Sequence, residues 1–178
     1  MIYLTSDLHF CHNKPFLYEP RGFTNVENMN TAIVAHWNSI INPEDDIYVL
    51  GDIMLNDNEK GTYLLKQLKG HIHIILGNHD TEQRIQIYND CYNVWEITYA
   101  TKFKYNGYHF FLSHYPCLTS NFDYDKPLKA RLISLCGHTH TQDRFADWKF
   151  GPIYHVELDA HDNFPVSLDQ IIQDIEKK

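Results

Sequence analysis

Five short apolar runs in this chain end on Asp, Asn or His. Ile2 to Ser6 leads into Asp7-Leu8-His9, Ile47 to Leu50 into Gly51-Asp52, and Ile72 to Leu76 into Gly77-Asn78-His79-Asp80. Tyr108 to Ser113 leads into His114, and Leu132 to Cys136 into Gly137-His138-Thr139-His140. Runs of this length, stopped by glycine or a polar turn residue, read as buried strands. One Asp or Asn at a strand end is ordinary turn chemistry. Endings that repeatedly collect imidazoles and carboxylates imply a shared polar site, and open α/β sheets place their chemistry at the carboxyl ends of strands.

Between the runs the periodicity turns helical. Thr24-Asn25-Val26-Glu27 reads as a capping box opening a helix from about Asn25 to Ile41, with Met29, Ile33, Trp37 and Ile40 on its inner face. A second helix spans Asn58 to Leu68, with Gly70 as its left-handed stop, and a short one spans Thr81 to Asn89 with Ile85 and Tyr88 as apolar contacts. Ser167-Leu168-Asp169-Gln170 reads as another capping box, ahead of a closing helix that buries Ile171, Ile172 and Ile175. Asp7 to Phe23 reads as a long loop and Pro116 to Arg131 as an irregular arch over the site. Glu96 to Tyr105 alternates as one strand, Asn106-Gly107 is a hairpin turn, and Ile153 to Leu158 is a further strand. Strand and helix alternate in the first half, and strands dominate the second. The expected fold is α/β, with two packed sheets and helices over the outer face of at least one.

Length changes this picture little: 178 residues suit one domain over 1–178, burying roughly 70% of the surface of the unfolded chain. Hydrophobic residues at 43% and charged residues at 21% are globular values, and no run reaches the roughly 18 apolar residues of a membrane span. The amino terminus lacks the features of a signal peptide, so a cytoplasmic location is expected. Cys11, Cys91, Cys117 and Cys136 have no CxxC spacing and read as reduced thiols. The formal charge of −8 argues against duplex nucleic acid as a partner. It leaves room for small anions, because bound metals bring local positive charge.

Asp7 and His9 are two residues apart, as are His138 and His140, so persisting strand geometry would turn each pair to one side. Oxygen and imidazole donors without thiolate suit Mn, Fe or Zn, with Ni also compatible, and Mn or Fe is the first expectation. Asp7, His9, Asp52, Asn78, His114, His138 and His140 are too many donors for one ion. With Asp52 bridging, they suit two, a pairing fitted to displacement at phosphorus.

Asp7-x-His9, Gly51-Asp52, Gly77-Asn78-His79-Asp80, His114 and Gly137-His138-x-His140, in that order, resemble the motif blocks of calcineurin-like metallophosphoesterases. The resemblance implies a two-sheet sandwich flanked by helices, in four α/β/β/α layers. It also implies one metal on Asp7, His9, Asp52 and His140 and another on Asp52, Asn78, His114 and His138. A hydroxide bridging the metals would be the nucleophile. His79 would act as general acid or leaving-oxygen stabiliser, with Asp80 orienting its imidazole. The expected activity is hydrolysis of a phosphate ester, a phosphodiester or small nucleotide in preference to a folded protein.

His12 and Arg21 follow the first donor pair and are candidates for binding a phosphate oxygen, Arg21 through its planar fork. Lys126, Lys129 and Arg131 with Phe122 and Tyr124 are candidates for a basic, aromatic rim. His36, His71, His73, His109 and His155 read as structural imidazoles, and His161 as part of an ordinary loop. The rival readings are a non-catalytic metal-binding scaffold, since fold does not fix activity, and a single-strand nuclease. Oligomeric state is not legible.

Overall fold

The computed structural model describes residues 1–119, 126–146 and 152–178. In chain order the elements are β1 (Ile2–Thr5), α1 (Pro15–Tyr18), α2 (Val26–Ile40), β2 (Asp46–Val49), α3 (Asn58–Leu65), β3 (His71–Ile75), α4 (Glu82–Asn89) and β4 (Val94–Thr98). Then come β5 (Ala100–Tyr105), β6 (Tyr108–Ser113), β7 (Leu132–Cys136), β8 (Ile153–His155), β9 (Val166–Ser167) and α5 (Leu168–Glu176). One sheet has the order β4-β3-β2-β1-β9 and the other β5-β6-β7-β8. β1 to β4 are mutually parallel, as are β6 to β8, so each sheet sends consecutive carboxyl ends to one edge.

Strand alternation divides the apolar residues between two cores. Tyr3, Ile47, Val49, Ile72 and Ile74 face Met29, Ile33 and Trp37 of α2, Leu64 and Leu65 of α3 and Tyr88 of α4. Leu4, Leu50 and Ile75 join Phe110, Leu112, Ile133, Leu135 and Tyr154 of the second sheet, and Leu168, Ile171, Ile172 and Ile175 close that core. Each fully buried side chain of this kind contributes about 1.5–3 kcal/mol. The expected pair of packed sheets flanked by helices is the architecture observed. No helix among the described residues is long and apolar enough to cross a membrane.

Local differences have local causes. Asn25, not Thr24, caps α2: its side chain accepts from the Asn28 amide at 2.9 Å, while Thr24 Oγ1 accepts from Asn28 Nδ2. α3 ends at Leu65, the Gln67 and Leu68 amides closing tighter turns onto Leu64 and Leu65, and Gly70 (φ +90°) turns the chain toward β3. The alternating stretch Glu96 to Tyr105 is two strands in different sheets, broken at exposed Tyr99. The Asp7 to Phe23 loop contains α1. The strand beginning at Ile153 stops at His155, after which Glu157 makes a bridge to Ser6 and ties the two sheets together. Ser167 caps α5 through the Gln170 amide, but the Gln170 side chain bonds Asp174 rather than reaching back.

Candidate metal centre

The β1 ladder ends at Thr5, yet the chain stays attached to the β2 extension. The amides of Asp7, His9 and Phe10 donate to the carbonyls of Gly51, Asp52 and Ile53 at 3.0, 2.9 and 2.9 Å. Strand geometry does not persist, contrary to the simple spacing reading. Asp7, His9, Asp52, His138 and His140 all have left-handed backbone, with φ of 57°, 49°, 57°, 74° and 49°. That conformation costs a non-glycine residue roughly 1–2 kcal/mol and is held by surrounding bonds, as is common at functional sites. Recurring left-handed residues, not pleating, carry the paired donors to one side.

Two glycines permit the close approach. A Cβ on Gly77 would stand 2.3 Å from Asp52 Oδ1, and one on Gly137 would stand 2.4 Å from Asp7 Oδ2.

The donors form two groups that share one oxygen. His9 Nε2 and His140 Nε2 face each other at 3.1 Å, each 3.6 Å from Asp7 Oδ1, and His9 Nε2 is 3.8 Å from Asp52 Oδ2. His114 Nε2 lies 2.8 Å from Asn78 Oδ1, 3.1 Å from His138 Nδ1 and 3.7 Å from the same Asp52 Oδ2. Ligand bonds of about 2.0–2.2 Å place neighbouring donors roughly 3–3.5 Å apart, close to these spacings. The chemistry also fits. His114 Nδ1 lies 2.8 Å from the Leu50 carbonyl, which only accepts, so in neutral imidazole Nε2 is a lone pair facing two further acceptors, Asn78 Oδ1 and Asp52 Oδ2. Asp7 Oδ1 is buried with no hydrogen-bond partner. Converging lone pairs and an orphaned carboxylate oxygen are what a cation satisfies.

Other residues hold the donors in place. Asp7 Oδ2 accepts from the His138 amide at 2.8 Å and so locks the β1 end to the β7 end. Asp80 does not orient His79 as expected. Its carboxylate accepts from the amides of Asp52 (2.9 Å) and Gly77 (2.8 Å) and from the Tyr88 hydroxyl (2.7 Å), pinning the turn that presents Asp52. Arg21 also departs from expectation. Its side chain has no exposed surface, and it donates to Asp159 at 3.0 and 2.6 Å and to the Asp7 carbonyl at 2.8 Å, leaving no face for a substrate phosphate. Asp159 is the residue that the sequence reading missed. Its Oδ2 is 3.1 Å from His140 Nδ1, an acceptor that fixes the proton there and leaves Nε2 free to ligate.

Burial alone would raise the Asp7 carboxyl, but the His9 and His140 imidazoles, each 3.6 Å from Oδ1, outweigh it and hold it at about 2. Burial takes His9 down to about 4 against the pull of Asp7, so its imidazole is neutral at neutral pH. For Asp159 burial is again outweighed, by His140 and Arg21, leaving the carboxyl well below its ordinary range. Anionic carboxylate and neutral imidazole are the forms that bind metal.

A cavity of about 530 Å³ opens over the donors, lined by His9, Asp52, Asn78, His138, His140 and Asp159, with His12, Phe16, Leu17, Pro20 and His79 as further wall. Such a volume admits a small molecule. The His79 amide donates to Asp52 Oδ1 at 2.9 Å, while its side chain is 41% exposed with Nε2 3.9 Å from Asp52 Oδ2. Of the expected rim, Phe122 and Tyr124 lie outside the described residues. Lys129 Nζ sits 5.0 Å from the centre of the Tyr108 ring, and Arg131 Nε donates to the Lys126 carbonyl at 2.8 Å. His161 is buried, its Nε2 2.9 Å from the His155 carbonyl.

Parallel strand ends from two packed sheets, converging on Asp, Asn and His donors beneath a cavity, define the class: an α/β protein with a candidate metal centre. The chain belongs to the calcineurin-like phosphoesterase superfamily, whose domain model matches residues 1–153. It is 35% identical to an uncharacterized protein of Methanocaldococcus jannaschii over 182 aligned positions, covering 99% of this chain and 92% of that one. Among solved structures it is similar to a protein of unknown function from Aquifex aeolicus, with a TM-score of 0.74 and 22% identity over 97% of this chain and 98% of that one. An archaeal phosphodiesterase matches with a TM-score of 0.50 and 15% identity over 90% of this chain and 86% of the other. At such identities the structural likeness is one of fold.

Proposed function

We propose that this protein hydrolyses a small phosphate ester, a phosphodiester or nucleotide, at two divalent metal ions. The observation that carries the reading is Asp52 Oδ2, which lies 3.8 Å from His9 Nε2 in one donor group and 3.7 Å from His114 Nε2 in the other. Asp7, His9, Asp52 and His140 would hold one ion and Asp52, Asn78, His114 and His138 the other, with Mn or Fe suited to the donors. When bound, the ions supply Lewis acidity and an activated water for attack at phosphorus.

The protein's own groups supply the rest. His79, fixed by its backbone on Asp52 yet exposed to the cavity, gives a proton to the departing oxygen. His12 offers an imidazole from the cavity wall to a phosphate oxygen. Asp80 and Asp159 act through the donors, as positioning residues. The acidic balance of the chain disfavours duplex nucleic acid as substrate.

The test is a panel of phosphomonoesters, phosphodiesters and an activated nitrophenyl ester, assayed with Mn-loaded protein. Turnover abolished by chelator and restored by metal is expected. Inactivity on the whole panel with both ions bound overturns the reading in favour of a metal-binding scaffold.

A further inference from the structure

An exposed aromatic ring stands beside each of the two donor groups. At the first group, the His9 ring is 5.2 Å from that of His12, which meets Phe16 edge-on at 5.8 Å. At the second, the Tyr115 ring lies 4.8 Å from His138 and 5.0 Å from His114. Phe16 is 71% exposed and Tyr115 49% exposed. Exposure alone decides nothing, because Tyr63, Tyr92 and Tyr99 are more than 60% exposed as well. Phe16, itself part of the cavity wall, and Tyr115 differ in touching imidazoles that line the cavity, those of His12 and His138. A flat apolar ring kept in water beside a polar centre is suited to stacking on a flat ligand.

Charge narrows the ligand further. The cavity lining carries the carboxylates of Asp52 and Asp159 and, among the described residues, no Lys or Arg. Arg21 is committed to Asp159, and exposed Lys14 is the cation near His12. Two bound ions would supply positive charge for one phosphate group, and the described lining adds no Lys or Arg to pair with a longer phosphate chain, so a singly charged diester is accommodated more readily than a polyphosphate tail.

We propose that Phe16 and Tyr115 are paired stacking platforms, so that the preferred substrate is a phosphodiester carrying a heteroaromatic base on each side of phosphorus. This rests on the phosphoesterase reading and specifies its substrate class. The unit occurs in a free dinucleoside monophosphate and at any step of a single strand. Both present the same chemistry to the site.

Steady-state kinetics of the Mn-loaded protein would compare a dinucleoside monophosphate, a nucleoside 5′-methyl phosphate and a hexanucleotide. The two-base ester should be preferred to the one-base ester, and Phe16→Ala and Tyr115→Ala should each raise its KM about 5- to 150-fold, the range of base stacking lost on alanine substitution. With the one-base ester only one of the two substitutions should matter. Phe16→Trp and Tyr115→Phe keep a ring and should recover the wild-type KM, with metal content measured throughout because Tyr115 adjoins His114. Cleavage of the hexanucleotide without the dinucleoside ester would name a strand as the source, and the reverse a free dinucleotide. An unchanged KM for the two-base ester in both alanine variants overturns the proposal. If the wild type with both ions bound turns over no ester, including a nitrophenyl one, the phosphoesterase reading falls instead. Calorimetric titration with a thiophosphate-linked dinucleoside then decides the platforms: equal binding by wild type and both alanine variants overturns them, and weakened binding by each supports them.

Discussion

Asp159 Oδ2 lies 3.1 Å from Nδ1 of His140, whose Nε2 faces His9 Nε2 at 3.1 Å on the other side of the ring. The carboxylate therefore sets the tautomer in which His140 Nε2 would be free to ligate, and it neutralises the buried guanidinium of Arg21. Asp159→Asn keeps the shape but removes the charge, and its amide no longer dictates which imidazole nitrogen holds the proton. Metal affinity should fall about 10- to 100-fold, read by competition with a chromophoric chelator. Stability in urea should fall by about 3–5 kcal/mol, because Arg21 is left buried and uncompensated. Unaltered metal affinity would remove Asp159 from its positioning role.

Asp80 serves the Asp52 turn, and a pair of variants separates its contacts. Asp80→Ala leaves the Asp52 and Gly77 amides and the buried Tyr88 hydroxyl unpaired, each at a cost of about 1–3 kcal/mol. Tyr88→Phe removes the phenolic partner alone and should cost about 1–2 kcal/mol. Asp80→Ala should thus be the more damaging variant in urea titrations and should also lose metal, whereas Tyr88→Phe should retain it. Full metal occupancy in Asp80→Ala would show that the turn holds Asp52 without this carboxylate.

Much of this site was legible because strand ends are marked by composition. The runs before Asp7, Asp52, Asn78, His114 and His138 are apolar and short, and their polar endings are visible without knowledge of the fold. What escaped depends on contacts distant in sequence. The left-handed backbone at Asp7 and His9 is imposed by hydrogen bonds to the chain around Asp52, which periodicity does not encode. Arg21 has the same composition whether it faces a ligand or a buried Asp159. A signal for Asp159 did exist, since Ile153 to Leu158 is another apolar run ending in Asp. Tyr99 hides a change of sheet because alternation reads the same on either side of it.

Asp52 is the residue whose loss should be felt by both ions. Its carboxylate carries the oxygen common to the two donor groups, while its other oxygen accepts from the His79 amide. Asp52→Asn keeps one carbonyl oxygen and loses the negative charge that two cations would share. Elemental analysis after gentle purification should show reduced occupancy of both ions, with affinity lowered at least tenfold, the lower bound for disturbing a tuned site. One ion retained at wild-type affinity would mean that Asp52 serves a single site.

His79 is exposed to the cavity while its backbone is tied to Asp52, and its carbonyl accepts from Arg84. A side chain that protonates the departing oxygen matters most when that oxygen is basic and least when it leaves as a stable anion. His79→Ala should therefore slow an alkyl phosphodiester by about a hundredfold or more while affecting a nitrophenyl ester far less. The loss should fall on kcat, since proton donation belongs to the transition state. Metal content must accompany the kinetics because Asn78 is adjacent, and His79→Gln, which keeps a hydrogen-bond donor without a titrating proton, separates polar stabilisation from proton transfer. With both metals bound, equal losses on the two ester types would assign His79 to substrate positioning. A loss confined to the alkyl ester, and not recovered in His79→Gln, would assign it to the proton.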